Sequence, residues 1–299
     1  MTHVSTRYWG IFLLMFCLLA RGVPLSAKEN HHFLWKIETE QNQVYFLGSV
    51  HILSADQYPL NPVIENAFEA ADIVVFETHL DSLESPEVQL HLLQKSVYGA
   101  DENLKTALSD ETYAKVTSVV ERFGLPMAQF NTFRPWFLAM TFTVLEAQRL
   151  GLVPEYGIDR YFFTKAKQAG KTIEALESID FQLALFTELP PAEQELFLKY
   201  TLADLDVMSN QLDTMISAWQ TGNTVLMDSL VTESVRRYPE IKPFYQKLDD
   251  ERNQRWIPQI EAYLQQDKNV LIIVGALHLS GEGSVIDLLR QKGYQIEQL

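Results

Sequence analysis

Cysteine is almost absent: Cys17 is the only one in 299 residues. It falls inside the apolar stretch Trp9–Ala20, so the rest of the chain has no partner for a disulfide and no thiol for nucleophilic or metal chemistry. Positive charge is also scarce. There are 24 Lys and Arg against 39 Asp and Glu, a formal net charge of −15. Such a surface repels nucleic-acid phosphate and anionic lipid, so both are set aside as partners. Long apolar runs are lacking too, because Trp9–Ala20 falls short of the roughly 20 residues a membrane span requires. Several catalytic signatures are missing: there is no His-Glu-x-x-His helix, Gly-x-Ser-x-Gly elbow, phosphate loop or dinucleotide fingerprint. These absences weigh against the common protease, lipase and NTPase routes.

What is present is ample core material. Hydrophobic residues make up 47% of the chain, with 17 Phe, 12 Tyr and 5 Trp, which excludes a disordered chain. Residues 1–27 read as a secretory signal, with Arg7 ahead of the apolar stretch and small residues near Ala20 and Ala27 that suit a cleavage site. Phe16 precedes Cys17 where a lipoprotein signal wants a small residue, so lipid attachment is not expected. Residues 28–299 then form one domain with no linker. Export without cysteine points to a bacterial periplasm or the extracellular space.

The pattern predicts a mixed α/β fold. Trp35–Ile37 and Gln43–Leu47 read as a hairpin, and a helix with Val63, Ala67, Phe68 and Ala71 on one face follows. Asp72–Phe76 reads as a buried strand ending at Glu77. Residues 83–244 are mostly helical in pattern, with a candidate strand at Lys171–Ala175 and two helices over 196–238 broken near Gly222. One long helix is expected over 244–265, then the strand Val270–Val274, a helix and a final strand. Both ends of the chain thus build the sheet, with a large helical segment between them.

Two strand ends stand out. Gly48-Ser49-Val50-His51 and Gly275-Ala276-Leu277-His278 each follow a β-rich apolar run. Glycine permits a tight turn there, and the carboxyl edge of an open α/β sheet is where sites are built. Imidazole is the commonest metal ligand and the usual base near neutral pH. Glu77, at a neighbouring strand end, is a third ligand or a general base. A His51, Glu77, His278 set suits a divalent transition metal with open positions. His79 is an accessory ligand or an exposed turn residue, and His91 reads as a packing residue. Arg252 falls on the apolar stripe of Leu248, Trp256 and Ile260 and must have a partner, because an unpaired buried charge is costly. It either clamps a substrate carbonyl or anion, with Asn253 beside it, or pairs with Glu77 or another acid. Asp159 reads as a helix N-cap, and Glu177 as an orienting acid or an ordinary helix-start residue.

In these residues the chain resembles the TraB/GumN family, which includes the Tiki-type metalloproteases. The matching stretches include Phe46-Leu47-Gly48-Ser49-Val50-His51, Val74-Val75-Phe76-Glu77, Arg134-Pro135-Trp136, Tyr156-Gly157-Ile158-Asp159, Leu176-Glu177-Ser178, Glu251-Arg252-Asn253 and Gly275-Ala276-Leu277-His278. The resemblance implies an α/β fold related to erythromycin esterase and to a haem-binding lipoprotein family. It implies a site built from His51, His278, Glu77 and Arg252, and divalent-metal peptidase activity with manganese or cobalt favoured over zinc. One departure is His79, which stands where relatives often carry Asp.

The expectation is therefore a metal-dependent envelope hydrolase acting on peptide bonds. The ion sits among His51, Glu77 and His278, and Arg252 stabilises the oxyanion. A non-catalytic protein binding a metal, haem or peptide is the first alternative, and an esterase or lactone hydrolase the second.

Overall fold

The two strands that carry Gly-x-x-His lie side by side, although most of the chain separates them. The computed structural model describes residues 31–299, so the signal read over residues 1–27 lies outside the described residues. Six strands form one mixed sheet: β1 (Leu34–Glu38), β2 (Gln43–Ser49), β3 (Ile73–Phe76), β4 (Thr172–Ala175), β5 (Val270–Gly275) and β6 (Glu297–Gln298). Their order is β4-β3-β5-β2-β1-β6. β1 and β2 make the expected antiparallel hairpin, and β6 pairs antiparallel with β1. β2, β5, β3 and β4 run parallel, which aligns their carboxyl ends along one edge.

β5 is the keystone of this arrangement. It arrives from the C-terminal part of the chain and inserts between β2 and β3, with Gly48 opposite Val274, Ser49 opposite Gly275, and Phe76 opposite Ile273. Val270 to Val274 are all buried, as expected of a parallel strand covered on both faces. Around the sheet, Phe68 of helix Pro62–Ala70 packs on Phe162, and Phe76 on Phe163, both from helix Ile158–Ala169. Trp256, Ile257 and Ile260 of helix Asp250–Tyr263 join the same core. The middle segment is helical, as its pattern predicts, and has cores of its own around Phe142 and Leu198 and around Tyr200 and Phe244.

Two element boundaries and the setting of one histidine differ from the sequence reading. The region after Pro190 forms three helices, Pro191–Asp204, Met208–Gln220 and Thr224–Arg237, rather than two. The missed break follows Leu205, which is itself a core residue, so the apolar pattern runs through the turn without a signal. The single helix expected over 244–265 is two, Lys242–Leu248 and Asp250–Tyr263. Asp249 between them has φ −124° and ψ −72°, outside the helical region, and turns its carboxylate to His278. His91 is not a packing residue: it is exposed on helix Pro86–Ser96, beside a surface groove.

Candidate functional site

Gly275 is the point on which the two halves of the site converge. A Cβ placed there would lie 3.3 Å from Glu77 Oε1, 3.5 Å from His278 Cδ2 and 3.5 Å from His51 Nε2. Its glycine is needed for close approach rather than for a left-handed turn, since its φ is −50°. Gly48 is constrained in the same way, its missing side chain leaving room for the Phe33 ring and the Ala276 backbone. The turn conformation expected of these glycines is thus replaced by a packing demand.

His51 reaches the site from the loop after β2. Trp219 Nε1 donates to the Gly48 carbonyl at 2.7 Å, and Ile158 N donates to the Val50 carbonyl at 3.0 Å, so the loop is held on both sides. Gly157 packs directly against the His51 carbonyl. Asp159 is not the N-cap expected of it; Gly157 takes that position, and the Asp159 carboxylate pairs with His51 Nδ1 at 2.7 Å. This orients the ring and leaves Nε2 toward Gly275. The His51 side chain is 65% exposed. The charge of Asp159, its hydrogen bond and the nearby Glu77 raise the His51 pKa to about 9, against desolvation and Arg252.

Glu77 is buried and fully engaged. Its Oε1 accepts from the Gly275 N–H at 2.7 Å, and its Oε2 from Arg252 Nη2 at 2.5 Å and Gln182 Nε2 at 3.1 Å. Burial opposes its charge, but the rings of His278 and His51, the Arg252 guanidinium and the Gly275 N–H prevail and hold its pKa at about 2. A carboxylate so stabilised is a poor proton acceptor at neutral pH.

His278 sits in the turn Ala276–Leu279 and is also buried. Nδ1 faces Asn253 Oδ1 at 2.8 Å and Asp249 Oδ1 at 2.6 Å, and Nε2 faces Arg252 Nη1 at 3.0 Å. A guanidinium can only donate, so Nε2 is the acceptor and the ring proton lies on Nδ1. Asn253, grouped with the substrate from sequence, is fully buried behind the ring and ties it to the Gly283 carbonyl.

Arg252 bridges these groups. Nε and Nη2 bind Glu177, the shortest contact being 2.5 Å, while Nη2 also meets Glu77 and Nη1 meets the Leu248 carbonyl at 2.9 Å. Trp256 lies under the guanidinium at 4.8 Å and donates its indole N–H to Glu177 at 3.2 Å. The N–H donors of Arg252 are thus spent inside the protein, and none is left for a substrate oxygen in this arrangement. Sequence reasoning named Glu177 without its partner and missed Gln182, Asp249 and Trp256. The break at Asp249 was the one available signal, hidden by the surrounding helix formers. His79 packs edge-on against Phe163 at 5.2 Å.

The family model for the TraB/PrgY/gumN family matches residues 33–298, nearly all of the described chain. The chain belongs to this family. Similar family proteins include uncharacterized protein YbaP of Escherichia coli, 28% identical over 89% of this chain and 96% of that protein. Metalloprotease TIKI1 of Danio rerio is 24% identical over 97% of this chain and 70% of that protein. Metalloprotease TIKI1 of Homo sapiens is 23% identical over 97% of this chain and 69% of that protein. No solved structure matches.

The relatives' names raise the question of a metal. Among the described residues, no three His, Asp or Glu side chains are gathered closely enough to hold an ion as they stand. The donor chemistry nevertheless fits one. His51 Nε2 and Glu77 Oε1 face the space above Gly275, His278 borders it with its ring carbon Cδ2, and a cation, the Arg252 guanidinium, already lies against Glu77 and His278 Nε2.

Proposed function

We propose that this protein is an exported, divalent-metal-dependent hydrolase that cleaves peptide bonds at the carboxyl edge of its sheet. The observation that carries this reading is the convergence of His51 Nε2, Glu77 Oε1 and His278 on Gly275, in a chain related to proteins named metalloproteases. Export rests on the apolar stretch at residues 9–20, and no helix among the described residues is long and apolar enough to cross a membrane.

His51, Glu77 and His278 would hold the ion, manganese or cobalt before zinc. When bound, the ion would polarise the scissile carbonyl and acidify a water. The protein's own residues prepare that arrangement. Asp159 aims His51 Nε2 into the cleft, and Asn253 fixes the ring proton of His278 away from it. Glu77 brings a carboxylate that stays ionised at neutral pH, which suits a ligand and not a proton-accepting base. Glu177 offers Arg252 a second carboxylate, so the guanidinium keeps an ion pair when Glu77 and His278 turn to another cation. Phe76, Leu80, Leu83 and Pro154 contribute the apolar part of the lining of a cleft of about 280 Å³ beside Glu77 and His51.

The test is a panel of peptide and ester substrates with the purified chain, loaded with manganese, cobalt or zinc, with and without chelator. Peptide cleavage that chelator abolishes and metal restores is the expected result. Cleavage of esters alone, or peptide cleavage that survives His51→Ala and His278→Ala, contradicts it.

A further inference from the structure

Ser49, at the end of β2, is 3% exposed, and its hydroxyl has no hydrogen-bond partner. A buried hydroxyl left unpaired forfeits its bonds to water and gains nothing in return, so its place in a fold calls for a reason. Among the described residues, Asn131, Trp136, Tyr200 and Asp204 also bury an unpaired polar atom, but all four lie in the helical middle segment. Asp249 Oδ1 is listed with them only by its angle, since it already faces His278 at 2.6 Å. Ser49 is therefore the unpaired donor at the sheet edge that carries the site.

Its position follows from the strand register. β2 and β5 run parallel with Ser49 opposite Gly275. Partners in such a pair project from the same face of the sheet, and the strands lie about 5 Å apart. Ser49 thus stands beside the point where Gly275 would carry a Cβ, and that point is 3.3 Å from Glu77 Oε1 and 3.5 Å from His51 Nε2. Gly275 has no side chain and is not fully buried, so it leaves the hydroxyl open to the space above it. The backbone of Ser49 is held on both sides, by Trp219 on the Gly48 carbonyl and by Ile158 on the Val50 carbonyl. Arg252, the cation nearest this space, has spent its donors on Glu77, Glu177, His278 and the Leu248 carbonyl. The Ser49 hydroxyl can still donate.

Resting on the hydrolase reading above, we infer that Ser49 Oγ is the hydrogen-bond donor to the oxygen of the scissile carbonyl, the role expected of Arg252 from sequence. As hydroxide from the acidified water adds to the carbonyl carbon, a C–O bond forms and the π pair of the C=O moves onto its oxygen, with the C–N bond still intact. Ser49 donates to that oxygen without giving up its proton, and the bond strengthens as the negative charge develops.

Ser49→Ala and Ser49→Thr, as manganese-loaded full chains, test this. Ser49→Ala should lower kcat for peptide cleavage about a hundredfold with KM within about twofold, while retained manganese stays the same and Tm does not fall. Ser49→Thr returns a hydroxyl and should recover most of the rate. A phosphonate peptide, whose tetrahedral anion mimics the addition step, gives a readout without turnover and should bind about tenfold more weakly to Ser49→Ala than to the wild type. Unchanged kcat and phosphonate affinity in Ser49→Ala overturn the inference. So does a loss of manganese or a lowered Tm in that variant, which would make the hydroxyl a structural group. Weakened phosphonate binding without peptide cleavage supports the donor and counts against the hydrolase, whereas cleavage that Ser49→Ala leaves intact does the reverse. A wild type that neither cleaves peptide nor binds the phosphonate removes both.

Discussion

Arg252 Nη2 lies 2.5 Å from Glu77 Oε2 and 2.5 Å from Glu177 Oε1, so one buried guanidinium nitrogen joins the end of β3 to the segment after β4. The backbone repeats the connection, with Glu177 N donating to the Glu77 carbonyl at 2.9 Å. All three side chains are less than a tenth exposed, so neither acid has water to replace its partner.

Removing that cation should therefore cost stability before it costs chemistry. Arg252→Ala leaves two carboxylates buried without a counter-charge and should destabilise the fold by about 3–5 kcal/mol. Arg252→Lys keeps the charge but loses the forked contact and should recover only part of the loss. Urea unfolding of the three proteins measures both steps. An Arg252→Ala protein as stable as the wild type would show that the contact is not formed.

The His51–Asp159 pair predicts a pH signature. Because the folded pKa of His51 is raised to about 9, its contribution is fully present below the unfolded value of about 6.5 and is lost as pH rises through about 9. The NMR titration of His51 should move toward the unfolded value in Asp159→Asn, and the fall in stability between pH 7 and 10 should become shallower. An unchanged titration would mean that Asp159 does not hold the ring.

Glu77 works in the opposite direction. Its pKa is depressed to about 2, so its contribution is present above the unfolded value of about 4.3 and disappears as pH falls through about 2. Glu77→Gln should flatten the stability profile over that acid window. A profile identical to wild type would remove the claim that Glu77 is ionised and paired.

The two strand-end glycines should respond differently to the same substitution. Gly275→Ala puts a methyl within 3.3–3.5 Å of Glu77, His278 and His51, contacts that a small shift relieves. The fold should survive, with metal retention and any hydrolysis reduced at least about tenfold through misplaced groups. Gly48→Ala drives a methyl into the Phe33 ring and should instead destabilise by about 1–3 kcal/mol. Thermal unfolding together with an activity or metal assay separates the outcomes; equal effects on both readouts in both variants would contradict the assignment.

Strands β2, β3 and β5 were legible in the sequence because a buried strand has a local signature, a short apolar run, with glycine near its end in β2 and β5. Their order was not. The insertion of β5 between β2 and β3 is a long-range pairing that no local pattern encodes, although the repeated Gly-x-x-His endings hinted at adjacency. The chemical residue types His51, Glu77, His278 and Arg252 were readable for the same local reason. Their supporting shell was less so: Asp159 has the signature of an N-cap and serves a histidine instead, and Gln182 is an ordinary helix residue until the fold turns it to Glu77. Asn253 was grouped with the substrate, and the fold sets it behind His278, because a helical stripe shows which residues are buried but not what they face.

The measurement that bears most directly on the central claim is metal content by mass spectrometry. The untagged chain and its His51→Ala/His278→Ala variant would be loaded with manganese, cobalt or zinc and then desalted. The account predicts roughly one retained ion per wild-type chain and none in the variant. Equal retention by both proteins would contradict a metal held between the two Gly-x-x-His turns.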